Sequence, residues 1–480
     1  MSFKEIFRKK TIDVLKKEAD VPTKLIRTMG PFQLILFGVG AIIGGGVFVL
    51  TGTAAFHYTG PAIVLSFILS GIVCICAGLC YAEFASIIPV SGSSYTYSYM
   101  TLGELPAWLI GCSVILSYFL SAASVANGWS SYFIGLADYF DIYFPKKFAY
   151  VTGFFYYSPT GTIHQAYFNL PAFLISFITM LILVRGTYGS SIVNAVIVFI
   201  KMLVLLLFII IGSTKIDFSN WIPFIPQNTG KFGEYGFSGV IAGVSIVFLA
   251  FNGFDSVCTA AQETKNPKRN LPIGIIGSIL IATLTYVLVS MVLTGVINYK
   301  DLNTSQPFAD AAQKMNIPIF LVFVKFGAVI AIASVILIHQ YAIVRMIYTI
   351  SQDGLLPPVL KKTHNKFHTP YVATIIIGIL IGLVAATIEL KEIVKLSTFF
   401  ILLTIIIICF SVIYLRYKKP RLKRKFKCPL VPWIPMIAIL FSGQILFTYS
   451  IVTIQYALFC LVLCTIYYLF YGKHHSLLAK

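Results

Sequence analysis

Gly38-Val39-Gly40-Ala41-Ile42-Ile43-Gly44-Gly45-Gly46-Val47-Phe48 lies in the middle of the first long apolar run of the chain. A membrane-crossing helix should be unbroken there, yet each of the three consecutive glycines costs a helix about 1 kcal/mol relative to alanine. In lipid, backbone groups freed by a break must find partners inside the protein. A break is tolerated where it lines a cavity, and the helix that starts beyond it offers free amides and the positive end of a dipole. Secondary transporters hold an anionic group such as a carboxylate in this way. Small residues also let membrane helices pack closely, so on the glycines alone both readings stand.

The rest of the chain has the composition such a helix requires. Of its 480 residues, 58% are hydrophobic and only 11% charged, where a soluble domain carries about 25% charged residues. The apolar runs are continuous and near the length of a membrane helix, not alternating as barrel strands would be. The fold class expected is therefore an all-α integral membrane protein. The first 30 residues are polar and basic and lack the short apolar core of a cleavable signal. Cys74, Cys76 and Cys80 are closely spaced, but no histidine or second cysteine pair completes a metal-binding pattern, so small apolar packing residues are expected. No cofactor and no metal are expected.

About twelve spans are expected, near residues 32–53, 60–85, 104–136, 168–185, 191–212, 237–260, 271–297, 317–350, 370–388, 394–415, 432–451 and 453–472. The net charge of +19 does not point to nucleic acid, because its distribution follows membrane topology. With both termini cytoplasmic, 26 of the 36 lysines and arginines fall on the cytoplasmic side and eight on the other, as the positive-inside rule requires. The basic arm at residues 1–30 and the basic loop at 417–431 supply most of that excess. The arm is expected to lie near anionic lipid.

A second interrupted span carries Phe248-Leu249-Ala250-Phe251-Asn252-Gly253-Phe254-Asp255-Ser256 near its middle. Five spans separate the starts of the two broken helices. Because five is odd, the second unit enters the membrane upside down relative to the first. This predicts a 5+5 inverted repeat, residues 31–212 and 237–416, with spans 11 and 12 (432–472) outside it and a central site between the two breaks.

Several motifs resemble the amino acid–polyamine–organocation superfamily, and most of all its cationic amino acid transporters and their bacterial relatives. They are the glycine stretch from Gly38 to Gly52, Tyr81-Ala82-Glu83-Phe84-Ala85, Gly103-Glu104-Leu105, Gly253-Phe254-Asp255, Glu263-Thr264-Lys265-Asn266-Pro267, Leu271-Pro272-Ile273-Gly274, Asp353-Gly354-Leu355-Leu356-Pro357 and Cys428-Pro429-Leu430-Val431-Pro432. The resemblance runs from about residue 25 to 470 and is weakest in 137–169. It implies a substrate amino acid held between spans 1 and 6. Its carboxylate would face the amides of Gly44, Gly45 and Gly46. Its ammonium would meet the carbonyls of Ile42, Leu249, Ala250 and Asn252. Neighbouring side chains, Phe254 and Asp255 among them, would size the rest of the substrate.

Lone charges inside apolar runs carry the remaining information. A lysine at the centre of a membrane helix costs about 2.5–3.5 kcal/mol on insertion scales, and Lys201 lies too deep in span 5 to reach water easily. By the resemblance, it stands where sodium-coupled relatives bind an ion. It is either a proton carrier of the transport cycle or a fixed strut against carbonyls of span 1. Asp255 either bonds backbone amides of span 6 or senses a cationic side chain. Glu104, Glu263, Arg345 and Asp353 lie at cytoplasmic span ends, where gate pairs or solvated ends are expected. Lys325 lies near the outer end of span 8, and His339, deeper in it, is expected to be a satisfied core histidine. Ser117 stands where some bacterial relatives carry a glutamate. Asn252 stands where an aliphatic residue is common, as a reader of a polar substrate or a cap on the broken helix.

These observations predict a permease of the cell membrane that moves amino acids by alternating access and couples to protons. Cationic amino acids are the first expectation and small neutral ones the second. An exchanger or a receptor that binds without transporting would share these features. An intramembrane protease would not, because the His-Glu-x-x-His motif is absent and no serine has a defined base.

Overall fold

The computed structural model describes residues 8–11, 29–88, 92–157, 163–186, 191–367 and 369–478. Among these, eight helical runs are long and apolar enough to cross a membrane, and three shorter apolar helices accompany them. The run Pro31–Ile87 holds the first two expected spans, so all twelve are present.

Span 1 begins at Pro31, whose fixed φ suits a first helical position, and Gln33 reaches back to accept from the amide of Gly30. It stops at Ile42, where Ile43 turns to extended backbone (φ −80°, ψ 113°). Helical winding resumes at Gly46 and continues to Thr59. Span 6 runs over Gly236–Val247, tightens through Phe248–Phe251 and breaks at Asn252 and Gly253. It resumes as Phe254–Glu263. Gly253 has φ +114°, and a Cβ there would stand 2.9 Å from the carbonyl oxygen of Ala41. Both the conformation and the close approach of span 1 require a residue without a side chain.

The other spans are Ile63–Ile87 (2), Glu104–Tyr139 (3), Leu170–Val184 (4), Ser191–Ser213 (5), Pro267–Val296 (7), Pro318–Gln352 (8), Tyr371–Thr387 (9) and Leu390–Lys418 (10). Span 2 packs on span 7, span 3 on span 8 and span 4 on span 9, so counterparts five spans apart are neighbours. The two breaks meet at the middle of this pairing. Span 11 (Trp433–Phe447) lies against spans 10 and 2, and span 12 (Ile451–Tyr467) against spans 10 and 3. Span 12 keeps most of its surface exposed, as a helix bathed in lipid would. The segment between spans 3 and 4 carries a small antiparallel hairpin, Phe155–Tyr157 on Ile163–Gln165.

One end of the bundle gathers most of its buried charge. Glu83 at the end of span 2 accepts from Arg416 (2.9 and 2.8 Å), from Arg424 (2.9 Å) and from the amide of Cys428 (2.9 Å). Glu104 accepts from the hydroxyls of Tyr99, Tyr468 and Ser476 at 2.8, 3.0 and 2.7 Å. Asp353 takes Lys10 at 2.7 Å and the hydroxyl of Tyr95 at 2.7 Å. Lys10, and Lys9 through the carbonyl of Thr101, are held against the bundle, whereas Lys4, Lys16, Lys17, Lys24 and Arg27 of the basic arm lie outside the described residues. The side chain of Glu263 does as well. Arg345 lies over the ring of Tyr341.

Candidate functional site

A helix end leaves carbonyls without partners, and at the end of the first half of span 1 most of them are taken up by named donors. The Val39 oxygen takes the amide of Ile43 at 3.0 Å. The Gly40 and Ile43 oxygens each accept from Lys201 Nζ at 2.7 Å. The Ile42 oxygen accepts from the hydroxyl of Tyr286, 2.9 Å away. The same hydroxyl lies 2.7 Å from the carbonyl oxygen of Ala250 in the broken part of span 6. Lys201 is fully buried, and the negative end of a helix dipole is where a cation is best tolerated.

Of the residues expected to take a substrate ammonium, Ile42 and Ala250 therefore face Tyr286, and the amide of Asn252 donates to Leu249 at 3.0 Å. The glycines expected to face a carboxylate are tightly enclosed. A Cβ on Gly44 would collide with Val335, one on Gly45 would stand 3.0 Å from Val125, and one on Gly46 would collide with Ala250. Val47 and Phe48 send their amides to the Gly44 oxygen at 3.1 and 3.2 Å. Phe254 is buried, with its ring against Tyr81.

Next to the break in span 6 lies a cavity of about 10 Å³, room for about one water molecule. Ser117 and Tyr118 of span 3, Asn252 and Asp255 of span 6, and Ile401 and Thr404 of span 10 are among its walls. Tyr118 donates its hydroxyl to Asp255 at 2.5 Å, which ties span 3 to span 6. Ser117 and Ser397 exchange hydroxyl-to-carbonyl bonds of 3.1 and 2.8 Å, tying span 3 to span 10. The side-chain amide of Asn252 reaches the Ser117 hydroxyl at 3.3 Å. The polar groups that close this cavity thus tie three spans together.

His339 departs from expectation. It is buried against the ring of Tyr118, at 5.0 Å between centroids, and faces the backbone of Asn252. Neither ring nitrogen has a hydrogen-bond partner among the described residues. Lys325 donates to the carbonyl oxygen of Gly135 at 2.6 Å near the end of span 3. Tyr118 and Tyr286 were not singled out from sequence. A tyrosine in an apolar run carries no signal that distinguishes a hydroxyl on a helix break from one at a lipid headgroup.

The family model described as amino acid permease matches residues 29–471. The chain is 40% identical to the methylthioribose transporter of Bacillus subtilis over 478 residues, 99% of both chains. It is 40% identical to a branched-chain amino acid permease of the same organism over 472 residues, 98% of both. The chloroplastic cationic amino acid transporter 9 of Arabidopsis thaliana is 36% identical over 341 residues, 71% of this chain and 58% of that protein.

Proposed function

The chain belongs to the amino acid permease family, and on that premise we propose that it carries amino acids across the cell membrane by alternating access, driven by protons through Lys201. It is a multi-pass membrane permease and not an enzyme. The coupling reading rests on one observation: the buried Nζ of Lys201 bonds the Gly40 and Ile43 carbonyls at the end of the first half of span 1. Charged, the lysine holds that helix end against span 5. Once its proton leaves, the attraction to both carbonyls weakens, and the first half of span 1 can move relative to span 5. A proton lost on one side and regained on the other would in this way be linked to the shape of the site.

The substrate lies between the breaks, its carboxylate at the Gly44–Gly46 amides and its ammonium at the carbonyls of Ile42, Leu249, Ala250 and Asn252. In this reading two of those carbonyls share the single proton of the Tyr286 hydroxyl until the ammonium arrives. The lining of the adjoining cavity suits a neutral side chain better than a cationic one. Its acidic wall residue, Asp255, is already bonded to Tyr118, and Ser117 offers no charge. One relative that matches the full chain is named for branched-chain amino acids. The cationic reading keeps one supporting observation, that the Asp255 carboxylate borders the cavity, and relatives named for cationic amino acids stand behind it.

Both termini are placed in the cytoplasm. The basic residues favour it, and Lys10 on Asp353 and Ser476 on Glu104 hold both ends of the chain at the same end of the bundle. Residues 31–212 and 237–416 are the two inverted units. Uptake of labelled leucine, alanine and arginine into proteoliposomes tests this reading. Accumulation of leucine or alanine above arginine supports the neutral substrate, and accumulation of arginine alone overturns it. Binding without accumulation in sealed vesicles overturns transport itself.

A further inference from the structure

We infer that the groove between spans 1 and 7 is a binding site for an anionic phospholipid of the cytoplasmic leaflet. The inference takes only the choice of leaflet from the proposed orientation. The groove, about 680 Å³ in volume, is walled by Ile35 of span 1 and by Ile273 and Leu280 of span 7. Its upper end is rimmed by Lys268 and Arg269, in the first turn of span 7, and by Lys425 from the loop after span 10. All three basic side chains are exposed, and none is in an ion pair among the described residues. That sets them apart from Arg416, in the last turn of span 10, and Arg424 of the loop, which are spent on Glu83.

Two features identify the occupant. The first is charge: three cations and the amino end of a 30-residue helix converge on one spot, where the helix dipole also favours an anion. The second is length. From Lys268 to Leu280 the helix rises about 18 Å, close to one leaflet of a bilayer whose hydrocarbon core is about 30 Å thick. Ile273 and Leu280 face outward there, 40% and 52% exposed. A small anion would use the rim and leave the groove bare, and a neutral lipid would use the groove and leave the rim unpaired. A diacyl lipid with a phosphate headgroup uses both. Span 1 forms one wall and contains the first break, so a lipid seated here lies against an element that must move during transport.

The test uses the purified full-length protein in a neutral detergent, mixed with equal amounts of phosphatidylglycerol and phosphatidylcholine of identical acyl chains. Native mass spectrometry then counts the lipid retained. The wild type should retain phosphatidylglycerol over phosphatidylcholine by about fivefold or more. The triple variant Lys268→Gln, Arg269→Gln, Lys425→Gln should lose that preference while keeping its thermal unfolding temperature. If the triple variant does not fold, Lys268→Gln alone should lower the preference in part. Leu280→Asn should lower retention of both lipids. Glycerol phosphate, which has the headgroup but no tails, should fail to displace the bound lipid. Equal retention of the two lipids by the wild type, an unchanged preference in the folded basic variants, or displacement by glycerol phosphate would overturn the assignment. None of these readouts depends on transport, so failure here leaves the permease reading intact and the reverse also holds.

Discussion

Gly46 and Ala250 touch so closely that no side chain fits between them: a Cβ on Gly46 would run into the Ala250 backbone. This contact joins the two broken helices at the centre of the bundle, beside the Tyr286 hydroxyl that bonds Ile42 and Ala250. Gly46→Ala should therefore push the breaks apart. We expect it to lower the unfolding temperature by several degrees, since overpacking costs about 1–3 kcal/mol, and to lower uptake at least tenfold. Gly443→Ala, where a Cβ would meet nothing within 4 Å, is the matched control and should leave both unchanged. Thermal unfolding in detergent, read beside uptake, checks the pair.

Tyr286→Phe removes one hydroxyl and leaves the Ile42 and Ala250 carbonyls buried without it. Loss of such a bond costs about 1 kcal/mol, a modest loss of stability. The larger effect should fall on the substrate, because both carbonyls lose the group that holds them in place. A rise in KM of severalfold with the protein still folded is the expected result, measured by concentration-dependent uptake.

Ser117→Glu would put a carboxylate into a cavity wall that has no free one. Arginine uptake should rise relative to leucine by about tenfold, the equivalent of about 1.4 kcal/mol. An unpaired buried carboxylate is costly, so the variant should be less heat-stable than the wild type. Added arginine should restore that stability and added leucine should not. Competition uptake and thermal unfolding with each ligand measure the two effects.

The Lys10–Asp353 pair is nearly buried, with both side chains about a tenth exposed. Removing one partner from a buried pair costs about 3–5 kcal/mol. Asp353→Asn should therefore release the segment around Lys10. Hydrogen exchange should speed up at residues 349–355, where Leu355 and Gly354 bond back to span 8, and at the tail amide of Leu477, which bonds the Asp353 carbonyl. Exchange in span 4 should be unchanged.

The elements best read from sequence were those that break a rule of the membrane. Glycines at 44–46 and the Asn252-Gly253 pair interrupt apolar helices, and both breaks are present where the chain carries them. Lys201 was legible as a charge with no route to water; its contact with carbonyls of span 1 is one that a proton carrier and a fixed strut would both make. Asn252 was read as a polar reader or a cap; its side chain lines the cavity and joins Ser117 there. The hydroxyls of Tyr118 and Tyr286 gave no sign, because their partners lie on other spans and a tyrosine suits an apolar run equally well without them. The fold of the C-terminal tail onto Glu104 was likewise hidden, since Tyr468 and Ser476 meet a residue more than 360 positions earlier. His339 was expected to be satisfied, and only the packing around it reveals two ring nitrogens without partners.

The most direct test of the account is uptake of labelled leucine and alanine by proteoliposomes with an inward proton gradient, comparing the wild type with Lys201→Ala. We predict gradient-driven accumulation by the wild type and its loss in the variant, while exchange of internal for external substrate survives at a reduced rate. Accumulation by Lys201→Ala that still follows the gradient would contradict the role given to Lys201.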